Sequence, residues 1–99
     1  MWKFKLNGDE TVITPPSSIN YDTLEEFKEL MSVLSNKNCV NVVIDMRNTV
    51  YIDSSGLGMI VKAANDFESF GGKFKLNNVN SVISEILKIT NLHKIIDIN

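Results

Sequence analysis

The sequence is poor in the residues that cross-link small domains or bind metals in them. It contains one cysteine, one histidine and two prolines among 99 residues. Because a lone cysteine has no partner within the chain, an internal disulfide is excluded, and so is a cysteine-rich zinc site. No apolar run approaches the roughly 20 residues that a membrane-spanning helix needs. We therefore expect no metal, no cofactor and no membrane insertion, and Cys39 is expected to be a small core residue.

A strong charge of either sign is also missing. The chain has 10 Lys and Arg against 12 Asp and Glu, a formal net charge of -2, and its basic residues form no cluster. This balance argues against nucleic acid, and against an anionic membrane surface, as the main partner. Lys3, Lys5 and Asp9 interrupt the start of the chain, where a secretory signal would be apolar. We expect a cytoplasmic protein.

The apolar residues suffice for one core. Hydrophobic residues make up 43% of the chain and charged residues 22%, a composition typical of a folded domain. A chain of this length has room for one core and little else, so residues 1–99 are predicted to form a single domain.

The hydrophobic pattern predicts an opening β-hairpin. Residues 2–6 alternate apolar and polar side chains, as a half-buried strand does. Asn7 and Gly8 form a typical two-residue turn, and residues 11–14 are the returning strand. The prolines and serines of residues 15–18 end that strand in an irregular connection.

A helix and a central strand are predicted next. Asp22 or Thr23 caps the helix, and Thr23 with Glu26 fits a capping box. The helix closes at residues 36–38, and residues 40–46 form the most hydrophobic strand, which belongs in the middle of the sheet. The buried stripe of this helix is predicted to be Leu24, Phe27, Met31 and Leu34.

The second half of the chain repeats this alternation. Strand-forming residues 49–52 precede a second helix that Gly71 and Gly72 end, and residues 73–76 form the next strand. Residues 95–98 are predicted as a short final strand or a tail packed on the core. The second helix is predicted to bury Leu57, Ile60, Val61, Ala64 and Phe67, with Met59 and Lys62 more exposed, and a third helix presents Val79, Val82, Ile83, Ile86 and Leu87.

This order predicts an α/β fold. Two strands of a hairpin are followed by alternating helices and strands, so an antiparallel edge should join later, parallel strands packed against three or more helices. In open sheets of this kind, functional residues collect beyond the carboxyl ends of the strands. One hexapeptide of the chain falls there, between residues 49–52 and the second helix: Asp53-Ser54-Ser55-Gly56-Leu57-Gly58.

The hexapeptide places two hydroxyls where a helix begins. Free amides and the positive end of the helix dipole favour anions there, so a serine is a plausible site of phosphoryl transfer. Gly56 and Gly58 lack Cβ atoms, which would let a partner backbone or a phosphate approach, although Gly56 would also suit a positive φ. Helix capping alone also explains Asp and Ser at this position.

Other chemistries have little support in the sequence. Ile52 stands where a serine hydrolase elbow needs glycine, and the one histidine, His93, has no evident acidic partner. Gly56 and Gly58 lack the third glycine of a dinucleotide site, because position 61 is Val. Asp45 ends a strand as a phosphoacceptor aspartate would, but the chain lacks the five βα units of a receiver domain. We interpret Asp45 as a strand-end or turn residue and expect no catalysis.

The chain resembles the STAS domain family, and within it the bacterial anti-sigma factor antagonists. The likeness rests on residues 42–46, on residues 51–58 with the Asp-Ser-Ser-Gly-Leu-Gly motif, on Gly71 and Gly72, and on residues 89–92. After the second strand, family members usually have a glycine, an acidic residue, an apolar residue and an aspartate. This chain departs from that pattern, because its residues 15–20 are Pro-Pro-Ser-Ser-Ile-Asn. Those family residues help to form the partner surface beside the serine.

The resemblance implies a phosphorylation switch. The first serine after the aspartate, here Ser54, would be phosphorylated by an anti-sigma factor with serine kinase activity, and a metal-dependent serine phosphatase would remove the phosphate. The unmodified chain would bind the anti-sigma factor and so free a sigma factor. Asp53 would orient Ser54 and Ser55 would cap the helix. The expected partner-binding residues are Asp53, Ser54, Ser55, Gly56, Leu57, Gly58 and Met59.

A second function from another class stays open. A non-switching STAS subunit would dock on an ABC-transporter ATPase or another regulatory assembly without any phosphate on Ser54. A neighbouring gene for a kinase-like ATPase or a serine phosphatase would favour the switch, whereas a transporter operon would favour the subunit.

Overall fold

A mixed five-stranded sheet, covered by helices on its apolar face, is the frame of the molecule. The computed structural model describes residues 2–36, 41–69 and 71–99. Short 3₁₀ turns at Tyr21–Thr23 and Leu92–Lys94 complete the elements. In chain order, the strands and helices are β1 (Lys3–Asn7), β2 (Glu10–Thr14), β3 (Ser18–Ile19), α1 (Leu24–Asn36), β4 (Asn41–Asp45), β5 (Tyr51–Ile52), α2 (Ser54–Ser69), β6 (Lys73–Asn77), α3 (Ser81–Ile89) and β7 (Asp97–Ile98).

The predicted mixed sheet, with an antiparallel opening hairpin and parallel later strands, is confirmed. The main sheet runs β1-β2-β4-β6-β7, with β1 and β2 antiparallel and every later neighbour parallel. The hydrophobic strand β4 lies at its centre, as its composition predicts. None of the helices in the described part of the chain combines the length and the apolar content that crossing a bilayer requires. The predictions for Cys39, Val40 and residues 37–38 lie outside the described residues.

The opening hairpin forms, but its details differ from the prediction. Asn7 pairs with Glu10, so the two loop residues are Gly8 and Asp9 rather than Asn7 and Gly8. Gly8 has a φ of 66°, a left-handed conformation that glycine adopts without a Cβ clash. The prediction that the first strand is half-buried is wrong, because β1 lies at the sheet edge and its Phe4 and Leu6 are exposed. Among the apolar residues of that predicted strand, Trp2, just before β1, is the buried one.

Trp2 packs the start of the chain against α1 and the turn before it. Its ring stacks on Phe27 with 4.6 Å between centroids. Its indole N–H donates to the Thr23 carbonyl at 2.9 Å. The Trp2 ring is therefore buried while its polar end is satisfied, as buried tryptophans require. Because it is the chain's one tryptophan, its fluorescence reports on unfolding.

The helices bury most of the predicted stripes. In α1, Leu24, Phe27 and Leu34 are buried and Met31 is half-buried. The prediction that Asp22 or Thr23 caps α1 is wrong. A 3₁₀ turn precedes α1, and Asn20 forms the capping box with Thr23. Sequence alone favoured Asp22 or Thr23 because the turn was not foreseen.

The buried face of α2 is shifted by about one residue from the prediction. Ile60, Ala64 and Phe67 are buried as predicted, while Leu57 and Val61 are half-buried and Ala63 is buried instead. In α3, Ile83 and Leu87 are buried, but Val82 is exposed, against the prediction. Gly71, with a φ of 77°, ends α2 as predicted, and the amides of Gly71 and Gly72 donate to the carbonyls of Glu68 and Phe67.

Asp45 is confirmed as a strand-end residue. Its carboxylate accepts hydrogen bonds from the Arg47 side chain at 2.8 Å and 2.7 Å, and from the Asn78 side-chain amide at 2.8 Å. Burial raises the pKa of Asp45, but the bonds from Arg47 and Asn78 outweigh it, so the pKa is lower than usual. The ionised carboxylate therefore holds the end of β4 to the loop after β6.

A second, two-stranded sheet positions the hexapeptide. β3 pairs in parallel with β5, so Ser18 lies opposite Tyr51 and Ile19 opposite Ile52. This sheet holds residues 15–20 against the start of α2. A strand of two residues has no periodicity that a sequence pattern could show, so β3 was not predicted.

Gly56 is where β3 meets α2. A Cβ built on Gly56 would lie 2.5 Å from the Ile19 carbonyl oxygen and 2.9 Å from the Ile52 side chain. Gly56 is buried, and its φ is not positive. Both sequence-based reasons for this glycine are therefore wrong. The close approach is made by the chain's own backbone, not by a partner.

We expect Gly56→Ala to lower the free energy of unfolding by about 1–3 kcal/mol, since the added methyl overpacks a contact with backbone. Gly58→Ala is the matched control. Nothing lies within 4 Å of a Cβ at Gly58, so alanine there should leave stability equal or higher. Urea midpoints followed by Trp2 fluorescence measure both. Equal midpoints for Gly56→Ala and wild type would contradict the packing.

We expect Asp45→Asn to be less stable than wild type at about pH 7, with a gap that closes in acid. A lowered folded-state pKa gives stability that is complete above the unfolded value of about 4 and is lost as the pH falls through the folded value. Urea denaturation at several pH values measures the gap. Asp66→Asn is the control, because Asp66 makes one exposed ion pair with Lys62. A gap that persists undiminished in strong acid would contradict a role for the ionised carboxylate.

Candidate functional site

Asp53 links the small sheet to α2. Its backbone amide donates to the Ile19 carbonyl at 3.1 Å, which continues the pairing of β3 with β5. Its side-chain oxygen Oδ1 accepts from the Gly56 amide at 2.8 Å, and its carbonyl accepts from the Leu57 amide at 3.0 Å. These are the bonds of an N-cap residue, so Asp53 is the cap of α2.

The two serines after Asp53 differ sharply in environment. The Ser55 hydroxyl donates to Oδ1 of Asp53 at 2.6 Å, and the Ser55 side chain is half-buried. Ser54 is exposed, and its hydroxyl makes no hydrogen bond to any residue in the described part of the chain. The roles implied by the family resemblance are therefore corrected. Asp53 holds Ser55 rather than Ser54, and the cap is Asp53 rather than Ser55.

The Asp53 carboxylate is held in its ionised form. The Ser55 hydroxyl and then the Gly56 amide lower its pKa from the usual value, and the Tyr21 amide adds a smaller effect in the same direction. At neutral pH a negative charge therefore stands next to the free hydroxyl of Ser54. The helix N-terminus, which favours anions, partly compensates for it.

A buried threonine fixes the segment that leads into the site. Thr49 is 1% exposed, and its hydroxyl donates to the Pro16 carbonyl at 2.9 Å. The Asn80 side-chain amide donates to the Thr49 carbonyl at 3.1 Å, while Asn80 also caps α3 by accepting from the Ile83 amide at 2.9 Å. Three distant segments thus meet at Thr49.

Sequence reasoning missed these supporting residues. Asn80 directly precedes the third amphipathic pattern, so an N-cap signal was available there. Nothing in the sequence marks Thr49 or Ile19, because their roles come from contacts between segments far apart along the chain.

The remaining predicted partner residues fall into three groups by exposure. Gly58 is exposed, with open space around it. Leu57 and Met59 are half-buried and pack against the core, so each offers only part of its side chain to a partner. Gly56 lies in the interior. The exposed part of the motif is therefore Ser54 and Gly58, bordered by Leu57 and Met59.

The site presents one exposed hydroxyl, that of Ser54. The described residues contain no group of three or more His, Cys, Asp or Glu side chains that could hold a metal ion. His93 lies in the turn Leu92–Lys94, on an element remote in sequence from the hexapeptide. What the site provides is one exposed serine on a fixed helix start.

Comparisons with known proteins agree with this architecture. The "Putative anti-sigma factor antagonist TM1081 homolog" of Thermotoga neapolitana is 29% identical over 99 residues, covering 99% of this chain and 88% of the relative. The crystal structure of TM1081 from Thermotoga maritima superposes with a TM-score of 0.92 at 28% identity, over 98% of this chain and 84% of that one.

A more distant structure shares the fold. The Bacillus cell fate determinant SpoIIAA in its phosphorylated form has a TM-score of 0.79 at 14% identity, over 100% of this chain and 91% of that chain. The family model of the STAS domain matches residues 2–99, which is nearly the whole chain. The protein is therefore a member of the STAS domain family.

Proposed function

We propose that this protein is an anti-sigma factor antagonist switched by phosphorylation of Ser54. The unmodified chain binds an anti-sigma factor that has serine kinase activity, and this binding frees a sigma factor. Phosphorylation ends the binding, and a metal-dependent serine phosphatase restores it. The observation that carries the proposal is the difference between the two serines. Ser54 is exposed and its hydroxyl bonds to none of the described residues, whereas the Ser55 hydroxyl donates to Asp53 at 2.6 Å.

The names of relatives support the same role. The Thermotoga neapolitana relative carries the name of an anti-sigma factor antagonist, and so does a Paenibacillus polymyxa protein, the "Anti-sigma F factor antagonist", which is 27% identical over 70 residues. SpoIIAA, which shares the fold, has been solved in a phosphorylated form. We infer the same class of partner for this chain.

The chemistry belongs to the partner and not to this chain. The Ser54 hydroxyl oxygen would attack the γ-phosphorus of ATP bound to the kinase, lose its proton to a base of the kinase, and release ADP. Phosphoryl transfer depends mainly on positioning and on charge stabilisation, which an ATP-binding partner supplies. This chain contributes an exposed hydroxyl that none of its described residues holds in a hydrogen bond. We infer a cytoplasmic location, where ATP and a sigma factor are present.

The switch follows from charge. A phosphate on Ser54 adds about -1.5 to -2 charges beside the ionised Asp53. A partner that desolvates this surface would leave that charge unmatched, at a cost of several kcal/mol, roughly a hundredfold or more in affinity. The helix N-terminus tolerates an added anion, so the domain itself stays folded. Binding is thereby lost without a large change in shape.

We expect Ser54→Ala to abolish phosphorylation while it keeps the fold and the binding of the anti-sigma factor. The matched control is Ser55→Ala, which removes a hydroxyl at the same helix start but leaves Ser54 free. It should remain a substrate, with a modest loss of stability from the lost bond to Asp53. The assay incubates each variant with the purified kinase and ATP, then maps the phosphopeptide and measures binding by pull-down.

Two results would contradict this assignment. Phosphate on Ser55 of the wild-type chain would reverse the roles of the two serines. A wild-type chain that neither binds nor is phosphorylated by the anti-sigma factors of its own genome would overturn the switch. A subunit that docks on a transporter ATPase would then be the function to test.

A further inference from the structure

Three large apolar side chains stay exposed on either side of Asp53. Tyr21 is 79% exposed, Val50 is 69% exposed and Tyr51 is 55% exposed. Tyr51 lies on β5 two residues before Asp53, with Val50 just ahead of it. Tyr21 lies two residues after Ile19 of β3, whose carbonyl accepts the Asp53 amide at 3.1 Å. The two tyrosines therefore flank the residue that caps α2.

The backbone under these side chains is fixed. The amides of Val50 and Tyr51 both donate to the Ser17 carbonyl, at 2.8 Å and 3.2 Å. Tyr21 begins the turn that Asn20 caps, where the Asn20 side chain accepts from the Asp22 amide at 3.0 Å. Ile52, which alternates with Tyr51 along β5, is buried and holds the strand to the core. The tyrosines are therefore presented by a rigid support, which lowers the entropy lost on binding.

Folding gives no reason for this exposure. Exposed apolar groups that stand together typically mark an interaction surface. Tyrosine is also among the residues that most often carry binding energy, because its ring buries much area and its hydroxyl can still meet a polar group. Two carboxylates lie close to the tyrosines along the chain: exposed Asp22 follows Tyr21, and half-buried Asp53 comes two residues after Tyr51.

We propose that Tyr21 and Tyr51 are the anchor residues that select the anti-sigma factor. This inference rests on the proposed function and adds the chemistry of the partner to it. The matching surface has apolar pockets for two tyrosine rings, with Lys or Arg side chains around them that face Asp22 and Asp53. A phosphate on Ser54, adjacent in sequence to Asp53, would bring its charge to the centre of this surface.

The test uses the full-length chain and the purified anti-sigma factor that phosphorylates wild type at Ser54. We expect Tyr21→Ala and Tyr51→Ala each to weaken binding at least about tenfold in a titration. Neither should change the urea midpoint appreciably, because both side chains are exposed. The matched control is Ile89→Ala, which truncates a 76% exposed apolar residue at the end of α3 and should bind as wild type.

Two further variants test the contribution of the Tyr51 ring and that of the Asp22 charge to binding separately. Tyr51→Phe should bind within a few-fold of wild type if the ring is the anchor. Asp22→Asn should slow association and reduce its dependence on salt, because it removes one of the two carboxylates that face the basic partner.

The outcomes distinguish this inference from the proposed function. If both tyrosine variants bind as wild type while Ser54 is still phosphorylated, the anchor role is overturned and the switch stands. If Ile89→Ala weakens binding as much as they do, the loss is not specific to this surface, and the anchor role is again overturned. If no anti-sigma factor of the source genome binds the wild-type chain, both proposals fall together.

Discussion

The contact between the Ile19 carbonyl and Gly56 is the constraint on which the site depends. The oxygen lies 2.5 Å from where a Cβ on Gly56 would stand, so α2 can begin here only with glycine at its third residue. This close approach lets β3 pair with β5, and the pairing continues into the bond from the Asp53 amide to Ile19. The main sheet and its core give the domain its stability, but this one contact fixes where α2 starts.

The chemistry of the two serines follows from that start. With Asp53 as the cap, its carboxylate accepts hydrogen bonds from the Ser55 hydroxyl and the Gly56 amide. These bonds lower the pKa of Asp53. Ser54 is left outside this network with an exposed hydroxyl. The same pairing of β3 with β5 also presents Tyr21 and Tyr51 on either side. The exposed Ser54 hydroxyl and the two exposed tyrosines are therefore positioned by the same pair of strands.

Local patterns in the sequence were enough for the order of the main elements. The hairpin and the helices show the alternating or amphipathic patterns of their element type, and β4 is a continuous apolar run. These signals lie within each segment, so they can be recognised without knowledge of the fold. The motif at residues 53–58 was also recognisable, and the assignment of Ser54 as the modified serine stays a prediction. Two of the failures depended on contacts between distant segments: the exposure of β1 at the sheet edge and the packing of Ile19 against Gly56. The Asn20 cap and the exchanged roles of Asp53 and Ser55 are local, and they were missed because Asn, Asp, Ser and Thr all suit an N-cap and only the geometry decides.

The most direct test of a pre-formed acceptor site is the backbone amide NMR spectrum of the chain before and after phosphorylation of Ser54. A fixed helix start predicts shifts confined to residues 53–57 and to the neighbouring residues 19–21, with the amides of the main sheet unmoved. Shifts that spread through β4, β6 and α3 would contradict this. They would mean that phosphate acts by rearranging the domain rather than by adding charge to an existing surface.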